Sequence, residues 1–257
     1  MSLAIITGGA QGIGRAAAVR LSRDGFNVGI IDLPDKKSEA EKTISLVQQN
    51  GGKAGFFPAD VSKKPEFEAA TEAAISGLGQ LDVMVNNAGV SIMAPLELQE
   101  EEDMQKMLDV NIKGCLWGMQ IAAAEFKKKQ HKGRIVNAAS SLAHQGMATV
   151  GVYAMTKAAV KSLTQTAAKE LAEFGILVNC YCPGPIRTDL FEGIVDRSEK
   201  LKIAKADEVV ELQRNGMALK EFGTTEEIGD LISFLASPRR QWVTGQSYTA
   251  DGGLNFT

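Results

Sequence analysis

The stretch that decides the fold is LAIITGGAQGIG, Leu3 to Gly14. An apolar run, Leu3 to Ile6, stops at Thr7-Gly8, and a glycine-rich turn leads through Gly12 and Gly14 into an amphipathic segment, Ile13 to Leu21. That order predicts strand, turn, helix. The unpaired N–H groups and partial positive charge of a helix start favour a phosphate placed against the turn. Glycine is needed there because a Cβ would hold a pyrophosphate off the backbone and crowd the strand–helix packing. The spacing T-G-x-x-x-G-x-G is a variant of the dinucleotide fingerprint, although a tight turn alone can show such glycines. The next β-like run, Asn27 to Ile31, favours the dinucleotide, because it ends in Asp32, 24 residues after Gly8. A carboxylate at that strand tip can accept hydrogen bonds from both ribose hydroxyls of an adenosine.

Strand and helix patterns continue to alternate without a linker. Helices are predicted over Lys36–Gln49, Phe67–Leu78, Glu100–Lys129, Val152–Phe174 and Thr225–Ala236, with a charged helical stretch after Cys182-Pro183-Gly184-Pro185. Strands are predicted at Ala54–Pro58, Asp82–Val85, Arg134–Asn137, Ile176–Tyr181 and Ser247–Thr249. Crossovers of that length imply a parallel sheet covered on both faces, with ligands bound beyond the carboxyl ends of the strands. At 257 residues the whole chain, 1–257, reads as one domain with a large core.

Composition narrows the class. Hydrophobic residues make up 44% and charged residues 23%, an ordinary globular balance, and the net charge of −3 points to neither nucleic acid nor an anionic membrane as partner. The first strand begins within three residues of Met1, leaving no room for a signal peptide, and no apolar run is long enough to span a bilayer, so a cytoplasmic protein is expected. Cys115, Cys180 and Cys182 read as buried reduced thiols rather than a disulfide framework, and His131 and His144 lie far from any ligand-spaced cluster, so no metal is expected.

Tyr153 and Lys157 are four apart in a predicted helix and share one face. An ammonium beside a phenol stabilises the phenolate and lowers its pKa from about 10 toward neutrality, giving a general acid/base for an alcohol/carbonyl pair. Y-x-x-x-K alone is common. Ser140, thirteen residues upstream in the loop leading to this helix, adds a hydroxyl able to hold a substrate oxygen while Tyr153 exchanges its proton.

With these residues in place the chain resembles the short-chain dehydrogenase/reductase family, in its single-domain branch. The matching residues are Thr7-Gly8-x3-Gly12-Ile13-Gly14, Asp60-Val61, Asn86-Asn87-Ala88-Gly89, Asn111, Ser140, Tyr153-x3-Lys157, Pro183-Gly184 followed by Thr188, Thr244-Gly245-Gln246 and Asp251-Gly252-Gly253. The resemblance implies a Rossmann-type, doubly wound α/β domain with a parallel sheet of about seven strands. It also implies a homotetramer, and a small-molecule substrate whose secondary alcohol is interconverted with a ketone. By the same likeness Asn111, Ser140, Tyr153 and Lys157 form the catalytic tetrad. Tyr153 is its acid/base, Ser140 orients the oxygen, Lys157 lowers the tyrosine pKa and grips the ribose, and Asn111 holds a water that links Lys157 to solvent. Asp60 and Val61 would cap the adenine, Asn87, Ala88 and Gly89 would pack along the cofactor, and Thr188 would bond the nicotinamide carboxamide. Gly8, Gln11, Gly12, Ile13, Gly14, Asp32, Leu33, Pro183, Gly184 and Ile186 complete the expected cofactor site. A carboxylate at position 32 would repel the 2′-phosphate of NADP, so NAD is favoured, with Arg15 and Lys36-Lys37 as opposing charges.

Substrate identity is carried by less. The segments Gly114–Gly118, Leu163–Ala168 and Val178–Gly184 are similar to acetoin (diacetyl) reductases, also called butanediol dehydrogenases. The chain departs from them at Ser141, where those enzymes tend to carry a larger polar residue, and throughout Ile186–Gly223, the expected substrate lid. There Leu190, Phe191 and Ile194 are expected to close over the substrate or to face a second subunit. His144 is placed to reach the substrate pocket, or to touch only backbone and water. The alternatives are a 3-oxoacyl-thioester reductase preferring NADPH, a sugar or polyol dehydrogenase, and a non-catalytic nucleotide-sensing scaffold.

Overall fold

In the computed structural model, which describes residues 2–239 and 242–256, β1 (Ser2–Thr7) packs between two parallel neighbours. Met1 and Thr257, the ends of the expected domain, lie outside the described residues. The other strands are β2 (Asn27–Asp32), β3 (Ala54–Pro58), β4 (Gln80–Asn86), β5 (Arg134–Ala138), β6 (Leu177–Pro183) and β7 (Ser247–Ala250). They form one seven-stranded sheet in the order β3-β2-β1-β4-β5-β6-β7, every pairing parallel. The chain winds outward from β1 in one direction and from β4 in the other. The crossovers therefore diverge at the β1/β4 carboxyl ends and leave a crevice there.

Alternation along each strand sorts the core onto two faces. On β1, Ala4 and Ile6 face α1 (Gly12–Arg23), α2 (Lys37–Gln49) and α9 (Thr225–Ala236). Leu3 and Ile5 face α3 (Lys64–Leu78), α5 (Cys115–Lys128) and α6 (Gly151–Leu171). All four are fully buried, each side chain the size of Leu or Ile contributing about 1.5–3 kcal/mol of transfer free energy. Among the described residues no helix is long and apolar enough to cross a membrane.

The expected sheet, the two covered faces and the span of α9 match the sequence reading. Two regions differ. The single helix expected over Glu100–Lys129 is α4 (Glu101–Met107), then a wide π-helical segment, Leu108–Gly114, then α5. Asn111 accounts for the widening: its amide turns inward, taking Val90 N–H at 2.8 Å and donating to Val90 O at 2.9 Å and Thr156 Oγ at 3.0 Å. Farther along, a Cβ at Gly118 would strike the Asn86 carboxamide, so only glycine lets α5 lie this close to β4.

The charged stretch after Pro185 is two helices, α7 (Asp189–Lys200) and α8 (Ala206–Gly216). They share a small core of Phe191, Val195 and Val209, apart from both faces of the sheet.

Candidate active site

One cleft of about 1070 Å³ opens beyond the carboxyl ends of the strands, running from the glycine-rich turn to α7 and α8. Every residue expected at the cofactor site lines it, as do Ser140, Tyr153 and Lys157; of the expected residues only Asn111 lies behind the wall.

The turn fits a dinucleotide. Gly8 and Gly12 hold φ of +62° and +54°, a conformation L side chains rarely adopt, and a Cβ on Gly14 would collide with the Gly8 carbonyl and come within 2.7 Å of Asn87 Nδ2. A Cβ on Gly89 would fill the space that Lys157 Nζ and Asn111 Oδ1 face together, at 3.2 and 3.3 Å. The turn is tied to the loop after β4. Thr7 Oγ accepts from the N–H groups of Asn87 and Ala88, both at 3.0 Å, and Asn87 Nδ2 donates to Thr7 O at 2.9 Å and Gly8 O at 3.1 Å. The buried Tyr181 hydroxyl donates to Asn87 Oδ1 at 2.8 Å. Thr7 and Tyr181 were not expected in these roles. Thr7 stood inside the quoted motif, but nothing in the sequence joins Tyr181 to Asn87, 94 positions away.

At the tip of β2 Asp32 accepts from Ala10 N–H at 3.0 Å and Leu33 N–H at 2.9 Å. Burial raises its pKa, against these two amides and the charge of Lys36. Arg15, expected as a charge favouring NADP, points inward. Its guanidinium donates to Ala10 O (2.7 Å), Thr43 Oγ (3.0 Å) and Glu39 O (3.3 Å), so it braces the turn from behind. Lys36 reaches the mouth of the cleft, donating to Gln11 Oε1 at 3.2 Å.

At the middle of the cleft the helix start of α6 presents Tyr153 and Lys157. Tyr153 is half-buried. The buried Lys157 Nζ donates to Ala138 O at 2.8 Å and sits 5.6 Å from the tyrosine ring centre. The expected lowering of the tyrosine is not what this geometry gives. Burial pushes Tyr153 up to about 12, with the Ser140 hydroxyl acting the other way, and burial pushes Lys157 down to about 8. The ammonium is held by a carbonyl rather than by the phenol, and removing both groups from water penalises both charged forms.

Ser140 is buried at the end of β5, and its Oγ accepts from Leu142 N–H at 3.2 Å to cap a short turn. Behind it lie the three cysteines, free and buried. The Cys180 and Cys182 thiols are hydrogen-bonded to each other. That bond and burial hold Cys182 well above the usual thiol range, while the Ser140 N–H acts the other way.

Two expectations at the substrate end are corrected. His144 does not line the cleft. Its Nδ1 pairs with Lys161 Nζ at 2.9 Å and its Nε2 with Thr249 Oγ at 3.2 Å, and burial followed by the Lys161 charge lowers its pKa. Phe191 touches the cleft wall but packs into the core shared by α7 and α8, edge-on to Phe222 at 5.2 Å. Leu190 and Ile194 line the cleft, as does Ile186 at the start of the same stretch.

Polar contacts at both ends of α7 tether it. Asp189, at its start, accepts from Gln11 Nε2 at 2.8 Å. Arg197 donates to Met93 O at 2.7 Å and Asp103 Oδ2 at 2.6 Å. Sequence reading did not find Arg197, since nothing local signals a partner 94 residues away. Among the described residues no group of three His, Cys, Asp or Glu side chains is arranged for a metal ion.

Residues 8–255 match the family model described as enoyl-(acyl carrier protein) reductase. The chain is 42% identical over 255 residues to a diacetyl reductase [(S)-acetoin forming] of Staphylococcus epidermidis, covering 98% of each. It is 40% identical to an L-2,3-butanediol dehydrogenase of Corynebacterium glutamicum, covering 99% of this chain and 98% of that one. Among solved structures it superposes on acetoin dehydrogenase from Enterobacter cloacae with a TM-score of 0.85 and 31% identity, over 98% of this chain and 95% of that one.

Proposed function

We propose, for a chain that belongs to the short-chain dehydrogenase/reductase family and interconverts a secondary alcohol and a ketone with a nicotinamide cofactor, that the substrate is a small vicinal hydroxyketone or diol of the acetoin/butanediol kind and the cofactor NAD(H). The observation that carries this is one continuous cleft, in which the glycine turn, the Ser140–Tyr153–Lys157 group and the apolar side chains Leu190 and Ile194 follow one another.

When bound, the nicotinamide takes up or gives the hydride at the carbinol carbon. The chain's own work is to hold one oxygen and move one proton. In this reading Ser140 Oγ orients the substrate oxygen, and Tyr153 Oη gives its proton to a ketone or takes one from an alcohol. Lys157, whose pKa of about 8 lets it carry or release a proton near neutrality, faces the space over Gly89 and exchanges protons there. Asn111 shares that space through Oδ1, because both its amide hydrogens are already donated to Val90 and Thr156. The turn residues Gly8, Gln11, Gly12, Ile13 and Gly14 would hold the pyrophosphate. Asp32 and Leu33 would hold the adenosine ribose, and Asp60 and Val61 the adenine. Asn87, Ala88 and Gly89 would lie along the cofactor, with Pro183, Gly184, Ile186 and Thr188 at the nicotinamide.

NAD(H) over NADP(H) is supported by the Asp32 carboxylate, which would face a 2′-phosphate with like charge. It is supported again by Arg15, whose Nε and Nη2 are turned inward onto Ala10, Thr43 and Glu39 rather than toward the ribose. By family likeness the working form is a homotetramer in the cytoplasm, which light scattering and fractionation test.

The assay is cofactor consumption with diacetyl, acetoin and a 3-oxoacyl thioester, each with NADH and NADPH. The expected result is turnover of the four-carbon ketones, at least about tenfold better with NADH. A preference for NADPH and the thioester would overturn it, and absence of turnover with all three would overturn the substrate class and leave the sugar or polyol dehydrogenase and the nucleotide-binding scaffold.

A further inference from the structure

The tetrad can hold only one substrate oxygen, whereas a vicinal hydroxyketone or diol carries two. Leu142, Met147, Val150, Leu190 and Ile194 line this cleft, and the short hydroxyls of Ser91 and Ser141 are in its wall beside them. An unpaired hydroxyl brought against an apolar surface loses its hydrogen bonds to water without replacement, which costs affinity. A partner for it must come from a polar side chain with free capacity.

The lid brings few of these to the cleft, and most are engaged. Arg197 is held by Met93 O and Asp103, and Asp189 by Gln11. Thr188 lies at the cofactor side, its hydroxyl 3.5 Å from Ile186 O. Gln213, on α8, differs. It is half-buried, lines the cleft, and its Nε2 meets the thioether sulfur of Met147 at 3.6 Å. A thioether is a weak acceptor, so this donor is engaged far below its capacity. Met147 lies in the loop between Ser140 and Tyr153, so the contact places the amide over the segment that carries the reacting groups.

We infer that Gln213 is a specificity-determining residue, its carboxamide exchanging the Met147 sulfur for the second oxygen of a vicinal hydroxyketone or diol while Ser140 and Tyr153 hold the first. This rests on the substrate class proposed above. An amide suits both redox states of the substrate, since it donates to a carbonyl through Nε2 and accepts from a hydroxyl through Oε1. It also separates ligands by the presence of that oxygen, because a site built to bond a hydroxyl discriminates strongly against the analogue lacking it.

The test compares acetoin with 2-butanone, the same carbon skeleton with one oxygen fewer, in the full-length enzyme with NADH. Wild type should favour acetoin in kcat/KM. Gln213→Leu should lower kcat/KM for acetoin by about tenfold or more, and leave 2-butanone within about twofold, so that the ratio of the two collapses. Gln213→Met, which keeps the side-chain length, should give the same collapse and guards against a misfolded leucine variant. Melting temperature and NADH affinity should not move. An unchanged ratio in both variants, or a parallel loss on both ketones, overturns the assignment of Gln213 and leaves the substrate class standing. A wild type that reduces neither ketone overturns the substrate class, and this assignment with it.

Discussion

The two ends of the cleft are built differently. At the dinucleotide end, Asn87, Thr7 and Tyr181 join three strand ends through hydrogen bonds of 2.8–3.1 Å, and the turn is braced from behind by Arg15. At the lid end, α7 and α8 rest on three buried side chains of their own and on the tethers at Asp189 and Arg197. The first end is part of the sheet's own connectivity, so it cannot shift without moving β1, β4 and β6. The lid can be rebuilt while the sheet stays as it is. On the proposed reading, generic chemistry is placed on the rigid part, and choice of substrate on the part with fewest obligations to the fold.

The largest effect expected lies on the rigid side. Tyr153→Phe removes one hydroxyl and should reduce turnover by about 10³-fold or more, while NADH binding, followed by fluorescence, stays within about twofold. Next come paired glycine substitutions that set one end against the other. Gly14→Ala drives a Cβ into the Gly8 carbonyl and should destabilise the chain by about 1–3 kcal/mol and weaken NADH binding. Gly193→Ala, on α7, meets nothing within 4 Å among the described residues and should be neutral or stabilising by up to about 1 kcal/mol in urea melts. Equal losses in the two variants would erase the contrast.

Asp32→Ala should narrow the preference for NADH over NADPH by about tenfold, read from the ratio of kcat/KM values. Lys157 supplies a pH test. Its pKa falls from an ordinary 10.5 to about 8 on folding, so between those values the unfolded chain binds the extra proton and stability rises with pH. Tyr153 acts oppositely, its pKa rising from 10 to about 12, so its contribution falls as pH climbs through that window. Urea melts of wild type and Lys157→Met between about pH 7 and 10 should show the rise only in wild type. The smallest effect belongs to the lid. Arg197→Ala should raise KM for the ketone by about threefold to tenfold with NADH affinity unchanged, because the lost ion pair is part-exposed and contributes little to stability.

Much of this was legible in the sequence, for definite reasons. Strand–helix alternation and glycine spacing are local signals, and local signals set the sheet, its crossovers and the residues at its carboxyl ends. Relations between distant segments were not legible. The inward turn of Arg15 depends on carbonyls of Ala10 and Glu39 and the hydroxyl of Thr43 arriving together. The same amphipathic pattern in α7 would suit a Phe191 closing on substrate or one buried against Phe222, and only packing decides. The Tyr153–Lys157 spacing predicted proximity correctly, but the sign of the tyrosine shift is governed by burial. Asn111 matched its motif, yet the widened turn around it comes from Val90 and Thr156, 21 and 45 positions away.

That widened turn makes chain length, rather than composition, the guarded property of residues 108–114. A π-helical turn accommodates a residue that a regular α-helix would not, and successive residues of an α-helix are about 100° apart around its axis. Inserting a further residue there, which the widened turn cannot absorb a second time, would swing α4 by about 100° relative to α5. Asp103 would leave Arg197 behind, and Asn111 would lose Val90. A point substitution in this segment is a local event, whereas an insertion changes the phase of two helices at once, and both the α7–α8 contacts and the proposed lysine relay would register it.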